Sequence, residues 1–367
     1  MTESVEHMSA AEAHQQPTIA LPAFAEPHAH LDKAFLAERI HNPTGDLLGA
    51  IEAMEANRHT ITLADTIERA ERAARLMLAN GVTAIRTHAD LTPENGLRSV
   101  EALIEVRERL RGLVEIQVVV LSGWPSIGAE GADQRAMIRE AIAMGIDVIG
   151  GCPHLESDAH AANENFLALA AEAGLPVDLH TDETMDPSML ALDDLARRVV
   201  ASGFPHRVTA SHCVSLGLQS EAMQREVAER VAEAGIGIIA LPHTNLYLQG
   251  RAHQAAMPRA LTAVKALRDA GVVVAAGADN LQDPFNPVGR ADPLETAGLM
   301  VMAAHLLADD ALATVTSNAR TVMGLAPTGD RVVLAAASVR EAIAFAPQTR
   351  RLERAEEATE SAPVHKM

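Results

Sequence analysis

Short, continuously apolar runs alternate along this chain with longer segments whose apolar residues recur at three- and four-residue spacing. The runs at 19–24, 82–87, 114–121, 147–151, 176–180, 207–211, 235–241 and 272–277 read as strands. A run that is apolar without alternation is a strand buried on both faces, as parallel strands covered by helices are. The segments at 67–80, 97–110, 136–144, 161–173, 190–202, 222–234 and 260–270 read as amphipathic helices. Several of them stop at a glycine placed where a C-cap sits, among them Gly81, Gly145, Gly174 and Gly203.

Eight such β/α units predict a (β/α)8 TIM barrel, a fold that typically takes about 250 residues. A doubly wound open sheet is the competing arrangement. It calls for a glycine-rich phosphate turn after the first strand, whereas this chain has Glu26-Pro27-His28-Ala29-His30 there. The organisation that follows is a flexible N-terminal tail over 1–18, the barrel over 19–322, and a vestigial small subdomain with a tail over 323–367. Within the C-terminal part, 293–307 reads as the eighth helix, 309–320 as a further helix, the run from Arg331 as a strand and 339–345 as a short helix. The small subdomain is expected to be a reduced β-sandwich remnant.

Composition narrows the function. A formal net charge of −19 without any Lys/Arg cluster excludes nucleic acid as the natural partner and favours a neutral or cationic small molecule. The two cysteines, Cys152 and Cys213, give no disulfide framework and suit a reducing cytoplasm. No apolar run is long enough to cross a bilayer and the first residues lack an apolar stretch, so a soluble, cytoplasmic protein is expected, with no membrane partner. Aromatic residues are only 2% of the chain, so the core must be aliphatic.

The candidate chemistry lies where the strands end, which in such barrels is the catalytic face. Strand one delivers His28 and His30, two histidines one residue apart and therefore on one side of the strand. Strand two ends in Thr87-His88-Ala89-Asp90, strand four in Cys152-Pro153-His154, strand five in His180 and Glu183, strand six in His212, strand seven in His243 and Asn245, and strand eight in Asp279 and Asn280. Taken singly, His88 and His154 read as hydrogen-bonded structural histidines. Together, the histidine pair, His180, His212 and Asp279 form a five-point metal pattern. Nitrogen donors with one carboxylate suit one divalent ion, Zn2+ or Fe2+, whose bound water is acidified to a pKa of about 7 and gives hydroxide at neutral pH. Glu183, three residues after His180, is the expected proton shuttle.

These residues sit in motifs that resemble a known family. Leu21-Pro-x-Phe-x-Glu-Pro-His-x-His-Leu-Asp32, Arg86-Thr-His-x-Asp90, Gly150-x-x-Pro-His-x-Glu156, Asp178-x-His-x-Asp-Glu183, Arg207-Val-Thr-Ala-Ser-His212, Leu248-Gln-Gly-Arg251 and Gly277-x-Asp-x-x-x-Asp-Pro284 together look like the cytosine deaminase branch of the amidohydrolase superfamily. The resemblance implies a mononuclear metal-dependent hydrolase that attacks a C–N bond of a small nitrogenous heterocycle and releases ammonia or an amine. It implies His28, His30, His180 and Asp279 as ligands and Glu183 as the proton shuttle to a ring nitrogen. His212 would orient the water or polarise the substrate, and Asp279 would also accept the water proton. Relatives with two metals carry a lysine at the end of strand four, where this chain has Gly150-Gly151-Cys152, so a single metal is expected.

The substrate-binding residues expected on the same basis are Gly123, Trp124, His154, Asn280 and Phe285. Several depart from the cytosine pattern. Gly123 replaces an amide that reads the pyrimidine, Asn280 replaces an acid, and Phe285 replaces a tryptophan, so cytosine itself is disfavoured. The alternatives are an N-alkylammelide-type, amine-releasing enzyme and a cyclic-amide hydrolase, with a non-enzymatic binding barrel disfavoured by the presence of Glu183 and His212. A homo-oligomer is expected.

Overall fold

The computed structural model describes residues 17–355. Of the tail expected over 1–18, residues 1–16 lie outside the described residues, as do 356–367, while Thr18 already belongs to a strand. The first apolar run, read above as a single strand over 19–24, is divided at Ala23. Its first part, β1 (Thr18–Pro22), leaves the barrel and pairs antiparallel with β10 (Arg331–Ala335), which pairs in turn with β11 (Arg350–Glu353). This three-stranded antiparallel sheet is the small subdomain's β-structure. A periodicity reading cannot detect the division, because both halves of the run are apolar and only the tertiary pairing separates them.

The barrel consists of eight parallel strands in sequential order: β2 (Phe24–Ala29), β3 (Val82–Leu91), β4 (Glu115–Ser122), β5 (Val148–Gly151), β6 (Val177–Thr181), β7 (Val208–His212), β8 (Gly237–Ala240) and β9 (Val274–Ala276). The fold is therefore the expected α/β TIM barrel. Helices between the strands carry the predicted punctuation. The helix Ala159–Ala173 starts at Asp158, whose side chain accepts from the amides of His160 and Ala161, and it stops at Gly174 with φ +68°, a conformation that costs glycine little.

The ring closes where β2 meets β9. Asp279 N donates to His28 O at 3.0 Å and His30 N donates to Asp279 O at 3.3 Å. The buried carboxylate of Glu26 spans the same seam, accepting from His28 N at 3.1 Å and Ala278 N at 3.0 Å. Gly277 makes room for it, since a Cβ there would stand 2.4 Å from Glu26 Oε1. At the opposite end the helix Ser317–Met323 plugs the barrel, packing Ala319, Val322 and Met323 against Ala25, Ala84 and Ala275 from inside the strands. The segment read as one helix over 309–320 is two, Ala308–Thr314 and Ser317–Met323, broken at the non-helical Thr316.

The longest stretch that escaped the periodicity reading lies between β2 and the helix Leu63–Ala79, where the chain makes an excursion containing the helix Leu47–Asn57 and the single turn Arg58–Thr60. The helix starts at Asp46, whose side chain accepts from Gly49 N. Met54 packs with Leu36, Ile40 and Ile61, and Phe285 lies against that cluster, so the excursion is fastened over the barrel mouth. No helix among the described residues is long and apolar enough to cross a membrane.

Candidate active site

The strand ends converge on a cavity of about 220 Å³ at the C-terminal face. His28 and His30 project from the end of β2, His180 from β6, and Asp279 from the turn after β9. Asp279 and His212 have left-handed backbones, φ +61° and +67°, which for non-glycine residues store strain of about 1–3 kcal/mol each and cluster at functional sites.

The ligand atoms stand at metal spacing. His28 Nε2 and His30 Nε2 each lie 3.2 Å from His180 Nε2, while Asp279 Oδ1 lies 3.5 Å from His28 Nε2 and 3.2 Å from His30 Nε2. Atoms held 2.0–2.1 Å from a tetrahedral ion are separated by about 3.4 Å, so these residues fit a divalent metal. Among the described residues neither oxygen of Asp279 has a hydrogen-bond partner, nor do His30 Nδ1 and His180 Nδ1, although all are buried. Burial of unpaired polar atoms costs about 1–3 kcal/mol apiece, a cost an ion would remove for Asp279. Burial, followed by the charge of Lys33, lowers His30 to about 3. The imidazole is thus neutral at neutral pH, the form that binds metal. A bound divalent ion supplies Lewis acidity and brings the pKa of a coordinated water near 7.

Beside the cluster lie the acid–base groups. Glu183 Oε1 is 3.4 Å from His212 Nδ1, and the carboxyl is pushed well above the ordinary carboxylate range by burial and then by Asp279, which favours its protonated form. Asn245 Nδ2 lies 3.0 Å from His212 Nδ1 and 3.5 Å from Glu183 Oε1. An amide donating to Nδ1 places the His212 proton on Nε2, which has no partner among the described residues and is free to donate. His212 is held near 4 mainly by burial and is neutral. Asn245 was visible at the end of strand seven, but nothing in its spacing showed that it would reach His212.

The expected substrate residues fare unevenly. Gly123, Trp124, Asn280 and Phe285 line the cavity. His154 is not among its lining: its Nδ1 sits 3.0 Å from the backbone oxygen of His180, behind a ligand. Gly123 opens no space, because a Cβ there would approach Leu91 O to 3.1 Å. Asn280 is occupied at both ends of its amide, donating to Asp283 Oδ2 at 2.8 Å and accepting from Thr244 Oγ1 at 3.4 Å. Trp124 keeps 39% of its surface exposed.

Three buried charged residues of the cavity, Lys33, Arg58 and Asp90, were not singled out from the sequence as substrate contacts. Lys33 Nζ and Arg58 Nη2 both bond Asp90, at 2.6 and 2.8 Å, and all three are buried. Arg58 Nε has no partner among the described residues. Arg58 comes from the excursion, so only recognition of that element would have placed it here. His88 likewise departs from its structural reading: its ring lies 4.0 Å from that of His28 and neither nitrogen is hydrogen-bonded among the described residues. At the end of β5 a Cβ on Gly151 would stand 2.1 Å from Phe166 Cζ, and one on Gly150 2.7 Å from Val119 Cγ1. Neither position can carry a lysine without rebuilding its surroundings.

The amidohydrolase family model matches residues 36–331. A pterin deaminase from Rhizobium rhizogenes is 36% identical over 322 residues, covering 86% of this chain and 72% of that protein. The chain belongs to the amidohydrolase family. Among solved structures, a 5-methylcytosine deaminase from Klebsiella pneumoniae liganded with 5-fluorocytosine superposes with a TM-score of 0.85 at 28% identity, covering 100% of this chain and 92% of the other. An N-isopropylammelide isopropylaminohydrolase from Burkholderia multivorans gives 0.76 at 32% identity, covering 92% and 85%. This amidohydrolase is a metal-dependent hydrolase of C–N bonds in heterocycles, with the His/Asp cluster as its candidate metal centre.

Proposed function

We propose that the chain is a mononuclear deaminase of an aminated, oxo-bearing heterocycle of the pterin kind. The ion would be zinc or ferrous iron, held by His28, His30, His180 and Asp279. Water adds to the ring carbon that bears the amine; Asp279 takes one of its protons and passes it to the amine, which departs as ammonia. Glu183 delivers its proton to the adjacent ring nitrogen and regains one from the new hydroxyl, which is left as an oxo group. His212 donates from Nε2 toward the developing negative charge on oxygen.

The observation that carries this reading is the placement of Glu183 and His212, bridged by Asn245, beside four ligand atoms at metal spacing. The substrate class is supported by the pterin deaminase relative and by the cavity itself. Leu121, Trp124 and Phe285 line it as apolar walls for a planar ring, and Lys33 and Arg58 give donors for its oxo and ring-nitrogen edge. Gly123 contributes only backbone. Asn280, with its amide engaged, shapes the wall rather than reading the ring, and His154 buttresses His180.

Amine release from an N-alkylated triazine is the second reading, favoured by the 32% identity to the N-isopropylammelide enzyme. Cyclic-amide hydrolysis with a lysine-bridged metal pair is opposed by the crowding at Gly150 and Gly151. The test is an assay for ammonia and amine release by metal-loaded protein over pterins, N-alkylammelides, cytosine and hydantoins. Ammonia from a pterin supports the proposal, and turnover confined to another arm replaces it. Assembly as a homo-oligomer and residence in the cytoplasm, also part of the proposal, are checked by light scattering and cell fractionation.

A further inference from the structure

TIM-barrel interiors are filled by layers of branched apolar side chains, yet this one contains a charged pair. Arg86 and Asp178 are 2% and 0% exposed, with Arg86 Nη1 2.7 Å from Asp178 Oδ2. A buried ion pair is no better for stability than well-packed apolar residues of the same volume, because desolvation offsets the attraction. Its presence therefore needs another explanation.

The pair belongs to a continuous hydrogen-bonded column along the barrel axis. At the bottom, Arg86 Nε donates to Gln117 Oε1 at 3.0 Å and Nη2 to the carbonyl of Val322 at 3.4 Å, in the helix that plugs the barrel. Arg86 Nη1 also donates to Thr209 Oγ1 at 3.1 Å. Above it, Ser211 Oγ donates to Asp178 Oδ1 at 3.1 Å, and Ser211 Oγ lies 2.9 Å from His28 Nδ1. The direction of the last bond follows from counting protons. Serine has one hydroxyl hydrogen, and an arginine-paired carboxylate can only accept, so that hydrogen points at Asp178. Ser211 must then accept from His28, which fixes His28 as the Nδ1–H tautomer and leaves the Nε2 lone pair facing His180 and Asp279. Among the three histidines of the cluster, only His28 has its second nitrogen tied: His30 Nδ1 and His180 Nδ1 have no partner among the described residues.

We infer that Arg86, Asp178 and Ser211 are positioning residues that set the tautomer and ring orientation of His28 for metal binding. The column anchors that orientation to the plugged floor of the barrel. The inference is independent of the substrate, so it stands or falls separately from the pterin proposal.

The test uses the full chain stripped of metal and titrated with zinc against a chromophoric chelator. Ser211→Ala should weaken zinc binding about 10–100-fold, the range for loss of a partner behind a metal-bound histidine, while the unfolding midpoint of the metal-free protein changes little. Ser211→Thr, which keeps the hydroxyl, should recover much of the affinity. Asp178→Asn provides a readout that packing alone would not move. An asparagine offers its oxygen to Arg86 and its N–H to Ser211, which turns the serine hydroxyl toward His28 and forces the Nε2–H tautomer. Imidazole 15N spectra of the metal-free protein should show this switch, with weaker zinc binding. Zinc affinity and His28 tautomer unchanged in both Ser211→Ala and Asp178→Asn would overturn the inference.

Discussion

Asp279 gives its backbone N–H to the carbonyl of His28 at 3.0 Å, so the residue that follows the last barrel strand is bonded to one at the end of the first. Both also offer side chains to the same four-atom cluster. Closing the barrel therefore brings these two candidate metal ligands together, and the Glu26 carboxylate, which bonds the amides of His28 and Ala278, stands directly beneath them.

Glu26→Ala should consequently destabilise the fold as well as the site. It leaves two buried amides without acceptors, at about 1–3 kcal/mol each. Denaturant unfolding of the metal-free variant measures this, and a wild-type midpoint would show that the seam does not depend on Glu26.

Glu183→Gln keeps the shape of the side chain and removes the transferable proton. Turnover should fall by at least about 10²–10⁴-fold, the contribution typical of a positioned acid or base, with metal content unchanged by elemental analysis. A variant that turns over normally removes Glu183 from its role.

Arg58→Met should act on binding rather than chemistry. Losing a hydrogen bond from a charged donor costs about 1.5–3 kcal/mol, or roughly 10–100-fold in KM, with kcat changed much less. A fall in kcat at constant KM would instead place Arg58 on the reacting atoms.

Gly150→Ala would bring a Cβ within 2.8 Å of Asp178 O and 2.9 Å of Val120 O, both backbone atoms that cannot give way independently. Loss of about 1–3 kcal/mol in unfolding free energy is expected, as for overpacked cores. An unperturbed variant would mean that glycine is not what keeps this strand end free of a bridging side chain.

What was legible in the sequence follows from what is local. Continuous apolar runs and C-cap glycines are local signals, and they gave the eight strands and most of the helices. Strand-end positions gave His28, His30, His180, Glu183, His212 and Asp279, because a barrel brings strand ends together whatever lies between. The division of the first run at Ala23 and the pairing of β1 with β10 depend on residues more than 300 positions apart, which periodicity cannot reach. The helix Leu47–Asn57 carries a mixed pattern interrupted by Gly49, so neither it nor Arg58 at its end stood out. Asn245, and the column through Ser211 and Asp178, bond across neighbouring strands, where only the register decides which side chains meet.

The central claim is that one divalent ion in the His28–His30–His180–Asp279 cluster is required for C–N hydrolysis. The most direct test is ammonia release from pterin by protein stripped of metal and titrated with zinc or ferrous iron. The account predicts no release from the stripped protein and full activity on reaching one equivalent of metal per chain. Undiminished release from protein verified to be metal-free, or activity that saturates only at two equivalents, would contradict it.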